Sequence, residues 1–312
     1  MKLLNISVII PCYNSEKYIE KSIVSVLKQN YSIKEILVVD DYSTDNSVNI
    51  IKTIIKNNSS KTQITLLQNK INHGPSYTRN IGLKNISINT DYISFLDADD
   101  FWSTSKISNQ VDLIKSKNID FVYSFYQVYD EVKNKTFIPD LNFKYSFDLR
   151  NKLFKFNLIS GSSSSVMISN EVFKKVGFFD ESLWCGEDWD YWIRCIEYSK
   201  VDCTEKIDVT ICTHANNSQK SLFDMYKSKI YFWNKRAKEK NIHLPSFFKD
   251  MVISKFYPSY LPFPNKSFMI SFFFPNNKAL YLLLSCSFTV LLKILKICIR
   301  LFRYLKRKLI NA

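Results

Sequence analysis

The sequence predicts an α/β fold built on a doubly wound, mostly parallel sheet. Three observations carry this expectation. Short β-rich apolar runs alternate with segments of helical period through the first hundred residues, the pattern of parallel βαβ units. The apolar runs are continuous, as expected of strands buried on both faces. Three of them end in polar, largely acidic residues: Tyr13-Asn14, Asp40-Asp41 and Asp97-Ala-Asp99-Asp100. In such sheets ligands bind beyond the carboxyl ends of the strands, so these groups are expected on one rim.

The elements follow in order. Ile6–Ile10 reads as a strand closed by Pro11 and Asn14. Glu16 to Asn30 has helical spacing, with Ile19, Ile23, Val26 and Leu27 on one face. Ile36–Val39 is a second strand. Ser43 to Asn57 is a helix with Thr44 or Asp45 as its cap. Ile64–Leu67 is a third strand, and Ser76 to Asn85 a helix entered from His73-Gly74-Pro75. Tyr92–Leu96 is a fourth strand. Beyond residue 105 the pattern loosens. Phe121–Val128 is strand-like, and the hydroxyl-rich run Ser160–Ser165 reads as a loop leading into a strand that ends near Ile168. Glu171–Val176 is a short helix, Gly186 opens another running to Tyr198, and residues 222–241 are helical and basic.

A chain of 312 residues, 46% hydrophobic and 15% aromatic, buries a sizeable core, which excludes global disorder. Seven cysteines, an odd number with no Cys-x-x-Cys pair, argue against a disulfide framework or zinc site and for reduced thiols. The apolar start is short and lacks a small-residue cleavage site, so it reads as a first strand rather than a signal peptide.

The net charge is +14, and seven basic residues with no acidic one fall between Lys293 and Lys308. Ala279–Leu292 is uncharged but short of the roughly 20 residues needed to span a bilayer. Lys293, Lys296, Arg300, Arg303 and Lys306 then interleave with Ile294, Leu295, Ile297, Ile299, Leu301, Phe302 and Leu305. An amphipathic helix with a wholly basic polar face lies among anionic headgroups. A core helix would mix its charge signs, and a nucleic-acid arm would lack so large an apolar face. A hairpin or short span over 279–305 stays open.

At the rim, Asp97 and Asp99 are alternate residues and point the same way from a strand end. Two carboxylates suit Mg²⁺ or Mn²⁺ bridging a diphosphate. The competing reading is that Asp99 or Asp100 caps the next helix. An aromatic at the first strand end can stack on a planar base, and an acid at the second can accept from base or ribose; Asn and Asp also favour plain turns.

Five segments in order then resemble the family 2 glycosyltransferases with the GT-A fold. They are Val8-Ile-Ile-Pro-Cys-Tyr-Asn14, Asp40-Asp-Tyr-Ser-Thr-Asp45, Asn72-His-Gly-Pro-Ser-Tyr-Thr-Arg-Asn-Ile-Gly82, Phe95-Leu-Asp-Ala-Asp-Asp-Phe-Trp102 and Gly186-Glu-Asp-Trp-Asp-Tyr-Trp192. The resemblance covers residues 5–215. It implies a nucleotide-diphosphate sugar as donor, with a UDP-sugar expected, and a lipid-linked or glycan acceptor. It assigns Pro11, Tyr13, Asn14, Asp41 and Ser43 to the nucleotide pocket, Arg79 to the donor diphosphate or the pocket's support, and Asp97 to the ribose. Asp99, with His214, is expected at a Mn²⁺ or Mg²⁺ ion. Glu187 and Asp188 match the acidic pair near the acceptor, with Asp188 as general base; a helix start also favours acids through its dipole.

One departure stands out. The family pattern has Gly where Tyr42 stands, so either the turn differs or Tyr42 adds an aromatic wall to the donor pocket. Ser160–Ser165 is expected to shape the acceptor cleft or to be a flexible loop. Of Trp184, Trp189 and Trp192, at least two are expected in the core and the rest against sugar faces.

The resulting expectation is an inverting, metal-dependent glycosyltransferase of surface-polysaccharide synthesis (capsule or lipopolysaccharide), peripheral on the inner face of the cell membrane, without nucleic acid. Its GT-A domain is 1–215, split into a nucleotide-sugar half 1–105 and an acceptor half 106–215, followed by a helical extension 216–278 and the membrane tail 279–312. A nucleotidyltransferase would carry a Gly-rich loop after the first strand, which Cys12-Tyr-Asn-Ser-Glu16 lacks. A non-catalytic scaffold would be marked by loss of Asp99 or Asp188, and both are present.

Overall fold

The first four strands form where continuous apolar runs demanded them. In the computed structural model, which describes residues 3–139, 153, 159, 162–183, 185–214 and 235, they are β1 (Ile6–Cys12), β2 (Glu35–Asp40), β3 (Gln63–Gln68) and β4 (Tyr92–Phe95). Between them run α1 (Ile19–Leu27), α2 (Ser47–Asn57) and α3 (Pro75–Lys84). The four strands are parallel, with β1 between β2 and β4. Cys12 lies opposite Asp40 and Ile9 opposite Phe95, so the polar strand ends open on one edge. The extension 216–278 (Lys235 apart) and the tail 279–312 lie outside the described residues, as do Ser160, Trp184 and the rest of the helix expected over 222–241.

Both faces of this sheet are covered. Ile6, Val8 and Ile10 of β1 pack with Ile19, Ile23 and Val26 of α1 and Ile51 of α2. Ile9, one residue out of phase, packs on the other face with Leu37, Phe95 and Leu83 of α3. Alternate burial of one strand on two layers is what a doubly wound sheet requires. Gly82 marks the closest approach of α3: a Cβ there would meet Ile9 Cγ2 at 2.5 Å.

The remainder is mixed. It comprises β5 (Phe101–Trp102), α4 (Lys106–Lys117), β6 (Phe121–Asp130), β7 (Lys135–Phe137), β8 (Val166–Ser169), α5 (Asn170–Val176), α6 (Glu187–Cys195) and β9 (Val201–Thr213). The strands join one nine-stranded sheet in the order β3-β2-β1-β4-β8-β6-β9-β5, with β7 on β6. β8 is antiparallel to β4 and to β6, whereas β9 is parallel to β6. Ile107, Val111 and Ile114 of α4 join the α1 face; Tyr191 and Trp192 of α6 join the α3 face.

Two differences from the sequence reading have clear causes. The second helix starts at Ser47, not Ser43, because the intervening residues serve the rim: Asn14 N–H donates to Ser43 Oγ, Thr44 N–H to Asn14 Oδ1 and Glu16 N–H to Asp45 Oδ2. Asp45 still accepts from Ser47 N–H at 3.0 Å, so the capping bond comes from just outside the helix. The thirteen-residue β9 was not expected at all. Its register against β6 shifts around Phe125, and Glu205 takes φ 53, so a bulge interrupts any period-2 signal.

Candidate active site

The rim between β1 and β2 is a pair of interlocked turns. Tyr13 is 49% exposed, whereas Pro11 is partly buried within β1. Asn14 (φ 47) and Tyr42 (φ 68) both take left-handed backbone. Tyr42 therefore keeps the backbone that a glycine would supply, at a cost of about 1–2 kcal/mol, and its ring stands 52% exposed on the rim. Asp41 is turned inward. Its carboxylate accepts from Asn69 Nδ2 at 2.8 Å, His73 N–H at 3.0 Å and Gly74 N–H at 2.7 Å, and so anchors the loop that leads into α3.

The three carboxylates of the acid loop after β4 have different partners. Asp97 Oδ1 meets Arg79 Nη2 at 2.7 Å. Asp99 Oδ2 lies 3.2 Å from His214 Nε2, at the end of β9. Asp100 is buried; Oδ1 accepts from Cys212 N–H at 3.0 Å and Oδ2 from the Ser162 and Ser164 hydroxyls. Asp97 and Asp99 thus differ in partner, while the charge of Asp97 is felt at Asp99. Neither Asp99 nor Asp100 caps the next helix, which begins at Lys106 behind Ser105. Burial raises the pKa of Asp99, and the charge of Asp97 adds to it; burial and the charges of Asp99 and Asp97 raise Asp100 well above the usual range.

The serine run is not a flexible loop over its described part. Ser163–Ser165 form a buried 3-10 turn, and Ser164 Oγ also accepts from Asp97 N–H at 3.0 Å. Buried carboxylates need donors, and this hydroxyl-dense stretch supplies them. That need was the signal available in the sequence for Ser162 and Ser164.

Across the rim, Gly186 (φ 77) turns the chain into α6, whose first residues are Glu187 and Asp188. Phe179 stacks on Tyr191 at 3.9 Å, and Trp192 packs edge-on against Phe121 at 5.5 Å, which seats the helix rigidly. Trp192 is in the core; Trp189 is partly buried and donates its Nε1–H to Leu153 O. Glu187 Oε1 meets Arg79 Nη1 at 2.9 Å. One guanidinium, 4% exposed, therefore joins Asp97 of the acid loop to Glu187 of the facing helix. Burial opposes its charge, but Asp97 and Glu187 outweigh that and raise its pKa. Asp188 is partly buried and is pushed up to about 7, first by loss of solvent and then by the charge of Glu187. A carboxylate with such a pKa can take up a proton near neutral pH.

Among the described residues no group of three or more His, Cys, Asp or Glu could hold a metal ion. The Asp99–His214 pair suits a different arrangement, in which one or two protein ligands hold a divalent cation and substrate phosphates and water complete its shell. Also among the described residues, no helix is long and apolar enough to cross a membrane.

A doubly wound sheet thus carries an acid loop at its carboxyl edge, with an acidic helix start joined to it through Arg79. Residues 7–177, more than half of the chain, match the model for glycosyl transferase family 2, and the chain belongs to that family. Its fold is GT-A: S. aureus TarS 1–349 in complex with UDP-GlcNAc superposes on 72% of this chain and 64% of that chain, with a TM-score of 0.60 and 22% identity. An uncharacterized glycosyltransferase of Haemophilus influenzae is 29% identical over 203 residues, 64% of this chain and 75% of the relative. WfgD of Escherichia coli, a UDP-Glc:alpha-D-GlcNAc-diphosphoundecaprenol beta-1,3-glucosyltransferase, is 39% identical over 123 residues, 39% of this chain and 46% of the relative. The matched part thus spans under half of WfgD and under two thirds of the TarS chain.

Proposed function

We propose that this glycosyltransferase moves a sugar, with inversion, from a UDP-sugar to a hydroxyl of a lipid-linked glycan during surface-polysaccharide synthesis. The observation that carries the reading is the Arg79 bridge, which brings the acid loop and the Glu187–Asp188 helix start to one centre. The activity of WfgD, with its diphosphoundecaprenol-linked acceptor, and the TarS complex with UDP-GlcNAc support the substrate classes. The basic tail 279–312 supports a peripheral site on the inner membrane face.

In this mechanism Pro11, Tyr13, Asn14 and Ser43 line the donor's nucleoside, and Asp41 holds the wall formed by residues 69–74. Asp97, oriented by Arg79, accepts from the ribose. Asp188 takes the acceptor hydroxyl's proton as that oxygen bonds to the anomeric carbon. The bond from that carbon to the diphosphate breaks on the opposite face, and its electron pair leaves with the nucleoside diphosphate, so configuration inverts. Mn²⁺ or Mg²⁺ held by Asp99 and His214 would, when bound, offset the charge of the diphosphate.

The test is hydrolysis and transfer from a panel of nucleotide sugars, with Mn²⁺ and with EDTA. Expected is metal-dependent release from one UDP-sugar, falling by about 10²–10⁴ in Asp188→Asn. Turnover that survives Asp188→Asn would remove the base assignment; turnover unaffected by EDTA would remove the metal.

A further inference from the structure

Tyr18 belongs to none of the expected site residues, yet it touches one of them. Its ring stacks on the imidazole of His214, with centroids 4.5 Å apart and planes inclined by 16°. Its hydroxyl donates to Glu131 Oε2 at 2.6 Å. Glu131 directly follows β6, and its N–H bonds to Thr213 O at 2.9 Å, one residue before His214. Tyr18 sits at the entry of α1. Three segments therefore converge on one imidazole, whose Nε2 is 3.2 Å from Asp99 Oδ2.

We infer that Tyr18 is a positioning residue: its ring, anchored through Glu131, fixes the plane of His214 and holds Nε2 on Asp99. The inference deepens the proposed function and rests on it where metal is concerned. An unbraced imidazole turns about two side-chain bonds, and only part of that range aims Nε2 at the acid loop. Partners of this supporting kind typically change metal affinity by about 10–100-fold when removed.

The chain has three histidines, so selective labelling of the imidazole Cε1 gives a spectrum in which His214 is assigned from His214→Ala. In the metal-free full-length protein a stacked tyrosine shifts that resonance upfield. Tyr18→Phe keeps the shift and Tyr18→Leu abolishes it; no upfield shift in the wild type would overturn the inference. Mn²⁺ alone is then titrated. Tyr18→Leu is expected to weaken Mn²⁺ binding about tenfold, His214→Ala to do the same or more, and the double variant to match His214→Ala, because Tyr18 acts only through the imidazole. A full further loss from Tyr18→Leu on the His214→Ala background would instead show that Tyr18 acts on the metal site by a route other than the imidazole, and would overturn the inference. A wild-type His214 resonance that Mn²⁺ leaves sharp overturns the metal reading alone, and the ring-shift comparison then decides the role of Tyr18.

Discussion

Two buried cations flank β4 on opposite faces of the sheet, and they are held in opposite ways. Arg79, on the α3 side, meets two carboxylates, Asp97 and Glu187. Lys106, on the α4 side, meets only neutral partners: Ser94 Oγ at 3.2 Å, Gln110 Oε1 at 3.0 Å and the Trp102 ring at 3.9 Å from its centroid. Burial lowers the Lys106 pKa to about 7, with only a weak offset from Asp208. The guanidinium cannot shed its proton and needs its anions; the ammonium can, and so tolerates a site without them. One cation joins two parts of a site, whereas the other fills a core.

The largest expected effect tests the paired side. Arg79→Met leaves Asp97 and Glu187 without their cation and should cost about 3–5 kcal/mol, read from denaturant midpoints. A cost below 1 kcal/mol would mean that the bridge is not a structural link. Asp188→Asn comes next. The wild-type carboxyl has a pKa near 7 when folded and 3.8 as a reference. Above pH 7 both states are ionised and the burial cost is fully felt; between 7 and 3.8 the folded chain holds a proton that the unfolded chain lacks. The variant should therefore be more stable by about 1–2 kcal/mol at pH 8, with the gain fading toward pH 4.

The unpaired side should respond with the opposite pH sign. Below pH 7 the folded chain must bury a charged Lys106, and between 7 and 10.5 it releases the proton that the unfolded chain keeps. Lys106→Met should stabilise by about 1 kcal/mol at pH 6, a gain that shrinks toward pH 10; a loss at every pH would show that the neutral hydrogen bonds dominate. Smallest is Tyr42→Gly, which relieves left-handed backbone but adds unfolded-state freedom. A net gain of about 0.5 kcal/mol is expected, with a weaker donor KM if the exposed ring forms a wall of the donor pocket.

The sequence showed unevenly how these sites are built. The four parallel strands were legible because two-sided burial leaves uninterrupted apolar runs such as Ser7-Val-Ile-Ile10. β9 was not, because Asp202, Glu205, Lys206 and Asp208 punctuate it and its bulge hides the period. Asp97, Asp99 and Asp188 stood out as acids at strand and helix ends. Arg79 and His214 were named only through the family resemblance, and the long-range pairings themselves were not legible: Arg79 reaches Glu187 across 108 positions, and Asp100 reaches Cys212 across 112. Long-range pairs are set by the sheet order, which local patterns do not encode. Lys106 drew no notice, since a lysine at a helix start reads as solvated.

Gly82 carries no chemistry, yet it works as a mechanical gauge for the site. It lies three positions after Arg79 on the same helix, and with 2.5 Å between its missing Cβ and Ile9 it sets how deeply α3 beds on β1. Any side chain there would act as a shim, lifting the helix and lengthening both guanidinium contacts together. The tolerance of an ionic joint is thus fixed by the thickness of a hydrogen atom at a residue that touches neither charge.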